Sequence, residues 1–573
     1  MAFTPRRAAV ALFVAAASLA PAALEAHAGS AGPSVTKPKY GGDITVGIFD
    51  TFSGFCIGNN LANSALMASR TMYETLFEKT VGGDMVGLLA SRAVPSTDLK
   101  SWIVTLRPGI KFHDGTAFDA DAVVTNFNAI RGITHLASIM KGGAKHHLGT
   151  GVTFSANIVS VTALDPLSVR FVLDRAQNDL PATLYASGRF VMRAPAQVNS
   201  AEDCATKPIG TGPFKMSEWT PNELTVVKNS SYWRKDPVTK ATLPYLSSIR
   251  FSNVKEGSQR AAAVRKGAID AAMFSSATDA TFIRDLHNRT KTVREYRSKR
   301  EYYASIWLNQ SKLGSPFANR DARLAVSYAF DAVSFARVRT RNEGQAPDSI
   351  VGPSNIMYNR TGYLKYNLKK AQAAAAHYKA TTGKNLEFTM PFDTSTTSSS
   401  NAVFIQKMMA KANIKMNILT QELALTISEA FDTSTGGNNF DAIWLLLLEG
   451  TDASFNLPFL VTNMFPATST NPARPLRGIF GPLLGLSHHS DQTIDADLFA
   501  GQAAKTTGLA RQNYRTAVAR IQSEGIVLPT VRQYYVVFTT RKMNGIGKLQ
   551  IVRGKTQRIT TNWGIDWTGV WKA

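Results

Sequence analysis

Residues 107–123 read RPGIKFHDGTAFDADAV and place His113, Asp114, Asp119 and Asp121 within nine positions. Such a density of ionisable side chains is typical of metal or catalytic sites. The local pattern favours structural roles instead. The Asp-Gly step predicts a turn, Asp119 is placed to cap a helix, and Asp121 falls in the first helical turn, where the helix dipole favours negative charge. We therefore expect a scaffold here, without metal ligands.

The surrounding chain alternates predicted strands and helices. WIVTL (102–106) and DITVGIF (43–49) are expected strands, and GSQRAAAVRKGAIDAAMF (257–274) predicts a helix ending near Gly267 and then a short buried strand. The middle third repeats this alternation. Strands alternating with helices indicate an α/β fold.

Composition indicates a packed globular protein of several domains. The chain has 573 residues, of which 44% are hydrophobic and 18% charged, and ~100 to 200 residues form a typical domain. The formal charge is +23. Because the basic residues are scattered, without the Lys/Arg stripe of a nucleic-acid groove, we expect no nucleic acid as partner.

Residues 1–28 have the features of a cleavable export signal. Arg6 and Arg7 precede the apolar run AAVALFVAAASLA (8–20), and Ala26-His27-Ala28 forms a small-residue cleavage site. The alternative is a membrane anchor, but a run broken at Pro21 falls short of the roughly 20 residues that a spanning helix needs. No cysteine follows the run, so we expect no lipid anchor. Residues 29–40 predict a flexible lead-in.

Cys56 and Cys204 are the only cysteines. An oxidising compartment would permit one disulfide between them. The alternative is two buried thiols that pack as small hydrophobic groups.

Several stretches, read in order, resemble the family 5 extracytoplasmic solute-binding proteins of ABC transporters, the dipeptide, oligopeptide and nickel-binding type. The resembling stretches are YETL (73–76), LRPGIKFHDGTAFDADAVV (106–124), PIGTGPFKMSEW (208–219), KNSSYWRKDP (228–237), RKGAIDAAMF (265–274), WLNQSKLGSPFANRDARLAVSYAFD (307–331) and GIVLPTVRQYY (525–535). They span most of the chain.

The resemblance implies a type II periplasmic-binding-protein fold with two lobes, a hinge and an extra subdomain inserted in the first lobe. On this basis, the expected domains are the signal peptide (1–28), the lead-in (29–40), the lobe I core (41–72, 200–298 and 524–573), the inserted subdomain (73–199) and lobe II (299–523).

The function implied by the resemblance is capture of a peptide or peptide-like solute in a cleft between the lobes and delivery to ABC permease membrane subunits. Sugars, opine-like conjugates and metal chelates are alternative ligands. More distant alternatives are an exported hydrolase and a basic envelope-interaction protein. We expect a periplasmic monomer without cofactor or catalysis, since serine-elbow, HExxH, phosphate-loop and dinucleotide motifs are missing from the sequence.

Candidate ligand-binding residues follow from the same resemblance. In peptide-binding relatives an acid of the second lobe holds the α-amino group of the ligand, and Glu449 and Asp452 in NFDAIWLLLLEGTDASFN (439–456) lie near that position. The family's tryptophan and proline are replaced there, which puts peptide specificity in doubt. Ordinary loop solvation is the alternative role for both acids.

The first-lobe loop FDTFSGFCIGNN (49–60) is the other expected cleft segment. Its candidates are Asp50, Phe52, Phe55 and Asn59, with core packing as the alternative for the two phenylalanines. A disulfide between Cys56 and Cys204 would join this loop to the hinge region. Tyr303 is a further candidate at the crossing between the lobes.

Two histidine pairs, His146-His147 and His488-His489, raise a weak metal hypothesis. Adjacent histidines cannot fill a coordination shell by themselves.

Overall fold

A computed structural model describes residues 37–56, 63–131, 154–200, 203–298, 302–422, 425–426, 440–450, 452–462, 464–465, 474–475, 485–552, 554–556 and 564–573. The predicted export signal lies outside the described residues. Within these ranges, none of the helices has the length and apolar character needed to cross a membrane.

A seven-stranded mixed sheet forms the first core. In spatial order its strands are Val293–Arg297, Tyr535–Thr540, Ala271–Ser275, Asp43–Ile48, Ser248–Asn253, Glu223–Lys228 and Phe214–Thr220. Asp43–Ile48 pairs in parallel with both of its neighbours. The helices Gly257–Lys266 and Ala280–His287 follow in the chain. The predicted end at Gly267 is confirmed, since its φ of 73° closes the first helix in the left-handed region.

A separate four-stranded antiparallel sheet contains the opening stretch. It consists of Ala90–Pro95, Ser101–Leu106, Ser168–Leu173 and Ile158–Asp165, with the helix Ala120–Ile130 packed against it. Asp114 accepts hydrogen bonds from the Thr116 amide (3.0 Å) and hydroxyl (2.6 Å), and Asp119 accepts one from the Ala122 amide at 2.9 Å. The turn and helix-cap predictions are confirmed.

His113 of the same stretch has a packing role. Its Nε2 lies 3.0 Å from the Gly212 carbonyl oxygen, and its Nδ1 accepts a hydrogen bond from the Gly210 amide at 3.3 Å. Burial lowers the pKa of His113 to about 4. A neutral imidazole therefore fastens the opening stretch to the glycine turn before strand Phe214–Thr220.

The second half of the chain has its own sheets. A three-stranded sheet has the spatial order Ala442–Glu449, Tyr302–Leu308, Val527–Gln533, and a parallel pair is formed by Glu387–Phe392 and Lys415–Thr420. The helices of this half are Arg320–Ala329, Ala332–Arg339, Leu368–Thr382, Thr396–Lys411, Ala453–Leu460, Gln492–Ala503 and Thr507–Ser523. Trp444 packs on Phe335 and Phe392, as expected of a core side chain.

Short elements complete the described fold. The helices are Asn63–Ser69, Leu180–Tyr185, Pro195–Val198 and the 3₁₀ turns Ala186–Gly188 and Pro316–Ala318. The strand pairs are Phe77–Lys79 with Met85–Gly87, Met464–Phe465 with Arg474–Pro475, Met543–Asn544 with Trp571–Lys572, and Gln550–Val552 with Lys555–Thr556.

The domain limits stay a prediction. The strands of the seven-stranded sheet fall within 41–72, 200–298 and 524–573, and the four-stranded sheet falls within 73–199. However, Val527–Gln533 pairs with Tyr302–Leu308 in the second sheet. This pairing favours a return of the chain to the first sheet after residue 533 rather than at residue 524.

Candidate functional site

A buried ion pair joins two segments that are far apart in the sequence. Lys79 ends the short strand Phe77–Lys79, and Asp452 precedes the helix Ala453–Leu460. The Lys79 ammonium donates a hydrogen bond to Asp452 Oδ2, and the two side chains are only 5% and 14% exposed. A charged pair this enclosed interacts more strongly than a surface pair, but it is expensive to break.

The backbone around Asp452 directs its carboxylate away from the helix. Asp452 stands at the N-cap position, where aspartate usually accepts a hydrogen bond from a helix amide, yet its side chain makes no such bond. Its carbonyl oxygen accepts bonds from the buried amides of Asn456 (3.0 Å) and Asn355 (3.4 Å). The backbone is therefore fixed while the carboxylate is given to Lys79.

A second acid, Asp179, lies beside this pair. Its Oδ1 accepts hydrogen bonds from the Ser454 hydroxyl (2.6 Å) and from Gln177 Nε2 (3.1 Å). Burial raises the pKa of Asp179, the hydrogen bonds from Ser454 and Gln177 oppose that rise, and the charge of Asp452 adds to it. Neutral donors thus already occupy this carboxylate, whereas Asp452 is paired with a full charge.

Aromatic rings extend the contact between residues 154–190 and the helix Ala453–Leu460. Phe154 stacks on Phe455 with ring centroids 4.8 Å apart and meets Phe459 edge-on at 5.9 Å. The Arg189 guanidinium lies 5.2 Å from the Phe455 ring centroid. The site therefore combines enclosed charges with aromatic surface, the combination that small-molecule sites use for orientation and affinity.

The predicted first-lobe residues are engaged in local structure. Asp50 accepts hydrogen bonds from the Ser64 amide and hydroxyl, both at 2.7 Å, and burial raises its pKa. Phe52 and Phe55 are 2% and 0% exposed and belong to the core of the seven-stranded sheet. This packing favours the core alternative for both rings, and ligand contact stays a prediction.

Cys56 and Cys204 form a disulfide in the structure, with Cα atoms 4.7 Å apart. Gln197 Nε2 donates to the carbonyl oxygens of Phe55 (3.2 Å) and Cys204 (2.9 Å), and Arg193 Nε donates to that of Phe55 at 2.8 Å. The first-lobe loop is therefore held covalently and by hydrogen bonds at the same place.

The remaining candidates lie apart or outside the description. Tyr303 is fully buried in the core that contains Trp307 and Phe455. Glu449 is paired through its backbone with Tyr302, and its side chain lies outside the description, as does Asn59. The structure brings none of these side chains into the Lys79–Asp452 contact that it describes.

The histidine pairs give no support to the metal hypothesis. His146 and His147 lie outside the described residues. His489 Nε2 lies 2.8 Å from the Leu460 carbonyl oxygen, its Nδ1 accepts a bond from the Asp491 amide, and burial lowers the pKa of His488 to about 4. Among the described residues, groups of three or more potential metal ligands do not occur.

Sequence reasoning did not find Lys79 or Asp179. Both lie in the predicted inserted subdomain, and their partners follow 373 and 275 positions later in the chain. The one available signal was Lys79 directly after a buried pair of residues in strand Phe77–Lys79, because a lysine is rarely buried unless it is paired.

Comparison with known proteins adds a family match. Residues 84–467 match the model for bacterial extracellular solute-binding proteins, family 5. A glutathione-binding protein GsiB from Pectobacterium atrosepticum is 24% identical over 548 residues, covering 90% of this chain and 94% of that protein. Another from Salmonella typhi is 22% identical over 517 residues, covering 88% and 91%.

Solved structures share the fold. DppA from Helicobacter pylori, in complex with the peptide STSA, has a TM-score of 0.75 and 21% identity, covering 93% of this chain and 98% of that chain. AgaA from A. tumefaciens, in complex with agropinic acid, has a TM-score of 0.73 and 19% identity, covering 93% and 99%. AppA from Bacillus subtilis, with a nonapeptide, has a TM-score of 0.71 and 17% identity, covering 94% and 100%. The α/β fold is therefore that of type II periplasmic binding proteins, as the sequence predicted.

Proposed function

This chain belongs to the family 5 bacterial extracellular solute-binding proteins of ABC importers, and on that premise we propose that its solute is a peptide or peptide-like molecule. The observation that carries the proposal is the buried Lys79–Asp452 pair beside the aromatic contact of Phe154 and Phe455. Enclosed charges of both signs suit a solute that has ionised ends and an apolar body.

The contacts around this site suggest how binding is coupled to shape. Segment 175–179 meets the second half of the chain through Asp179–Ser454 and through Asn178, whose Nδ2 donates to the Ala504 carbonyl oxygen at 2.7 Å. A solute that touches both sides adds contacts available only when they are together. Such a solute favours the closed arrangement by its differential affinity, and the closed form then docks on the permease.

The finer points of this function form part of the same proposal. The protein is exported with cleavage of residues 1–28, acts in the periplasm as a monomer, delivers its solute to ABC permease membrane subunits and performs no reaction itself. The candidate contacts in the first-lobe loop, at Tyr303 and at Glu449 and Asp452 are carried in it as well. So is the division into a lobe I core, an inserted subdomain and lobe II.

One observation favours opine-like conjugates as a second ligand class. AgaA, a structural neighbour of this chain, was solved with agropinic acid. In this chain Asp452 is already paired with a cation, so an ammonium from a peptide has a competitor there. Sugars and metal chelates have no comparable support among the described residues.

Mass spectrometry of the small molecules released by denaturing freshly purified mature protein tests the proposal. We expect a peptide or amino-acid conjugate at close to one equivalent, which should be missing from protein that has been unfolded, dialysed and refolded. For the emptied protein, a ligand at about 100 times its dissociation constant should add ~2.7 kcal/mol of stability. Release of a sugar or chelate, or no stabilisation by any peptide or conjugate, would contradict the proposed ligand class.

A further inference from the structure

Asp452 holds an ammonium group from within the chain. The resemblance assigns the acid in this region to the α-amino group of a peptide, and here the Lys79 ammonium donates a hydrogen bond to it. The pair joins the two halves of the site and is almost excluded from solvent. An ammonium from a ligand and the Lys79 ammonium would therefore compete for one carboxylate.

The geometry of Asp452 shows that this pairing is built into the chain. Two buried asparagine amides fix the Asp452 carbonyl oxygen, and the helix that begins after it receives no hydrogen bond from the carboxylate. The carboxylate gives up the capping role that its position offers, which is worth about 1 kcal/mol. What it gains in exchange is the contact with Lys79.

Asp179 does not replace Asp452 as a receptor for an amine. Its described contacts are with the neutral donors Ser454 and Gln177, and Gln177 Nε2 is shared with the Thr183 hydroxyl at 2.6 Å. Turning this carboxylate toward a ligand would leave those buried donors unsatisfied, which costs more than the bonds contribute.

We propose that Lys79 is a specificity-determining residue, a tethered counter-ion that makes the site select peptide-like ligands whose amine at this end is substituted or absent. This inference rests on the proposed function and narrows its ligand class. A free amine must displace the Lys79 ammonium into a poorly solvated position without its counter-ion, whereas an N-substituted ligand leaves the pair intact.

Titration calorimetry with trialanine and N-acetyl-trialanine tests the assignment in the full mature chain. The variants are Lys79→Met, which removes the competing charge, and Lys79→Met/Asp452→Asn, which also removes the carboxylate. We expect Lys79→Met to bind trialanine at least about tenfold more tightly than wild type, the ratio that 1.4 kcal/mol produces. Affinity for N-acetyl-trialanine should not rise, and the double variant should lose the gain.

Two results overturn the inference. One is a wild type that already prefers trialanine over its N-acetyl form by tenfold or more. The other is a Lys79→Met protein with no gain in trialanine affinity, including no measurable binding at all. Circular dichroism checks the fold of each variant, and Lys79→Gln takes the place of Lys79→Met if the latter does not fold.

The proposed function is scored separately from this inference. A wild type that releases or is stabilised by a peptide-like solute, together with no gain in Lys79→Met, refutes the role of Lys79 and leaves the transport function standing. A wild type that neither releases such a solute nor responds to any member of a peptide and conjugate panel refutes the proposed ligand class first.

Discussion

The acids of residues 113–121 and the acids beside Lys79 differ in where their partners lie. Asp114 and Asp119 bond to groups two and three positions away. Asp179 and Asp452 bond to groups 275 and 373 positions away. The first set is the densest cluster of ionisable residues in the sequence and shapes a turn and a helix start. The second set is sparse in the sequence and joins distant parts of the fold.

This difference shows that the density of charges along a sequence is a poor guide to a site. Acids whose bonds are local can be solvated on one side, as the exposed Asp114 and Asp121 are. Acids that meet only after folding lose water, so their pairing and protonation matter to the energy of the whole chain. Functional candidates are therefore better sought among enclosed charges with distant partners.

The disulfide is the strongest test of the distant half of this comparison, because it joins residues separated by 148 positions. Replacing both cysteines by serine should lower the free energy of unfolding by about 4 kcal/mol, since a long cross-linked loop restricts the unfolded chain most. Chemical denaturation of the variant and of wild type measures the loss. Wild type treated with a reductant should show the same loss, and equal stability of all three proteins would contradict a stabilising bond.

Asp179 offers a smaller test through pH. Its pKa is raised in the folded state, chiefly by burial. The stability that it contributes is therefore fully present below the unfolded pKa of about 3.9 and is lost as pH rises through the folded value. Asp179→Asn removes this loss. The difference in unfolding free energy should thus move in favour of Asp179→Asn between about pH 4 and neutrality.

A matched variant sharpens the Asp179 prediction. The Ser454 hydroxyl stabilises the charged carboxylate, so Ser454→Ala should raise the pKa further and shift the loss of stability to higher pH. Denaturant titrations at a series of pH values follow both variants. A difference between wild type and Asp179→Asn that does not change with pH would show that this acid has no raised pKa.

The sequence allowed prediction of the fold wherever the signal is local. The strand at 43–48, the helix end at Gly267 and the cap at Asp119 depend on periodicity, on a backbone angle and on a side chain next to its partner. The resemblance supplied the type II fold for the same reason, because its motifs are contiguous stretches. The burial of Phe52 and Phe55 was less accessible, since an aromatic residue in a loop fits a cleft and a core equally well.

The candidate site could be predicted only in part. Asp452 was found because it lies in a stretch that resembles a known one. Its partner Lys79 could not be paired with it, because spacing carries no information about two residues that come together from different sheets. Asp179 escaped for the same reason, and its raised pKa depends on the burial that only the folded chain provides.

The smallest expected effect tests the local half of the comparison with two neighbouring acids. Asp119→Ala should cost about 1 kcal/mol, because the Ala122 amide loses its acceptor at the helix start. Asp121→Ala should cost only about 0.3 kcal/mol, since that exposed side chain acts on the helix dipole alone. Neither change should alter ligand binding, whereas a loss of binding in either variant would return residues 113–121 to the candidate site. Equal costs for both would mean that the cap bond contributes nothing beyond charge, and the contrast between local and distant acids would then rest on Lys79, Asp179 and Asp452 alone.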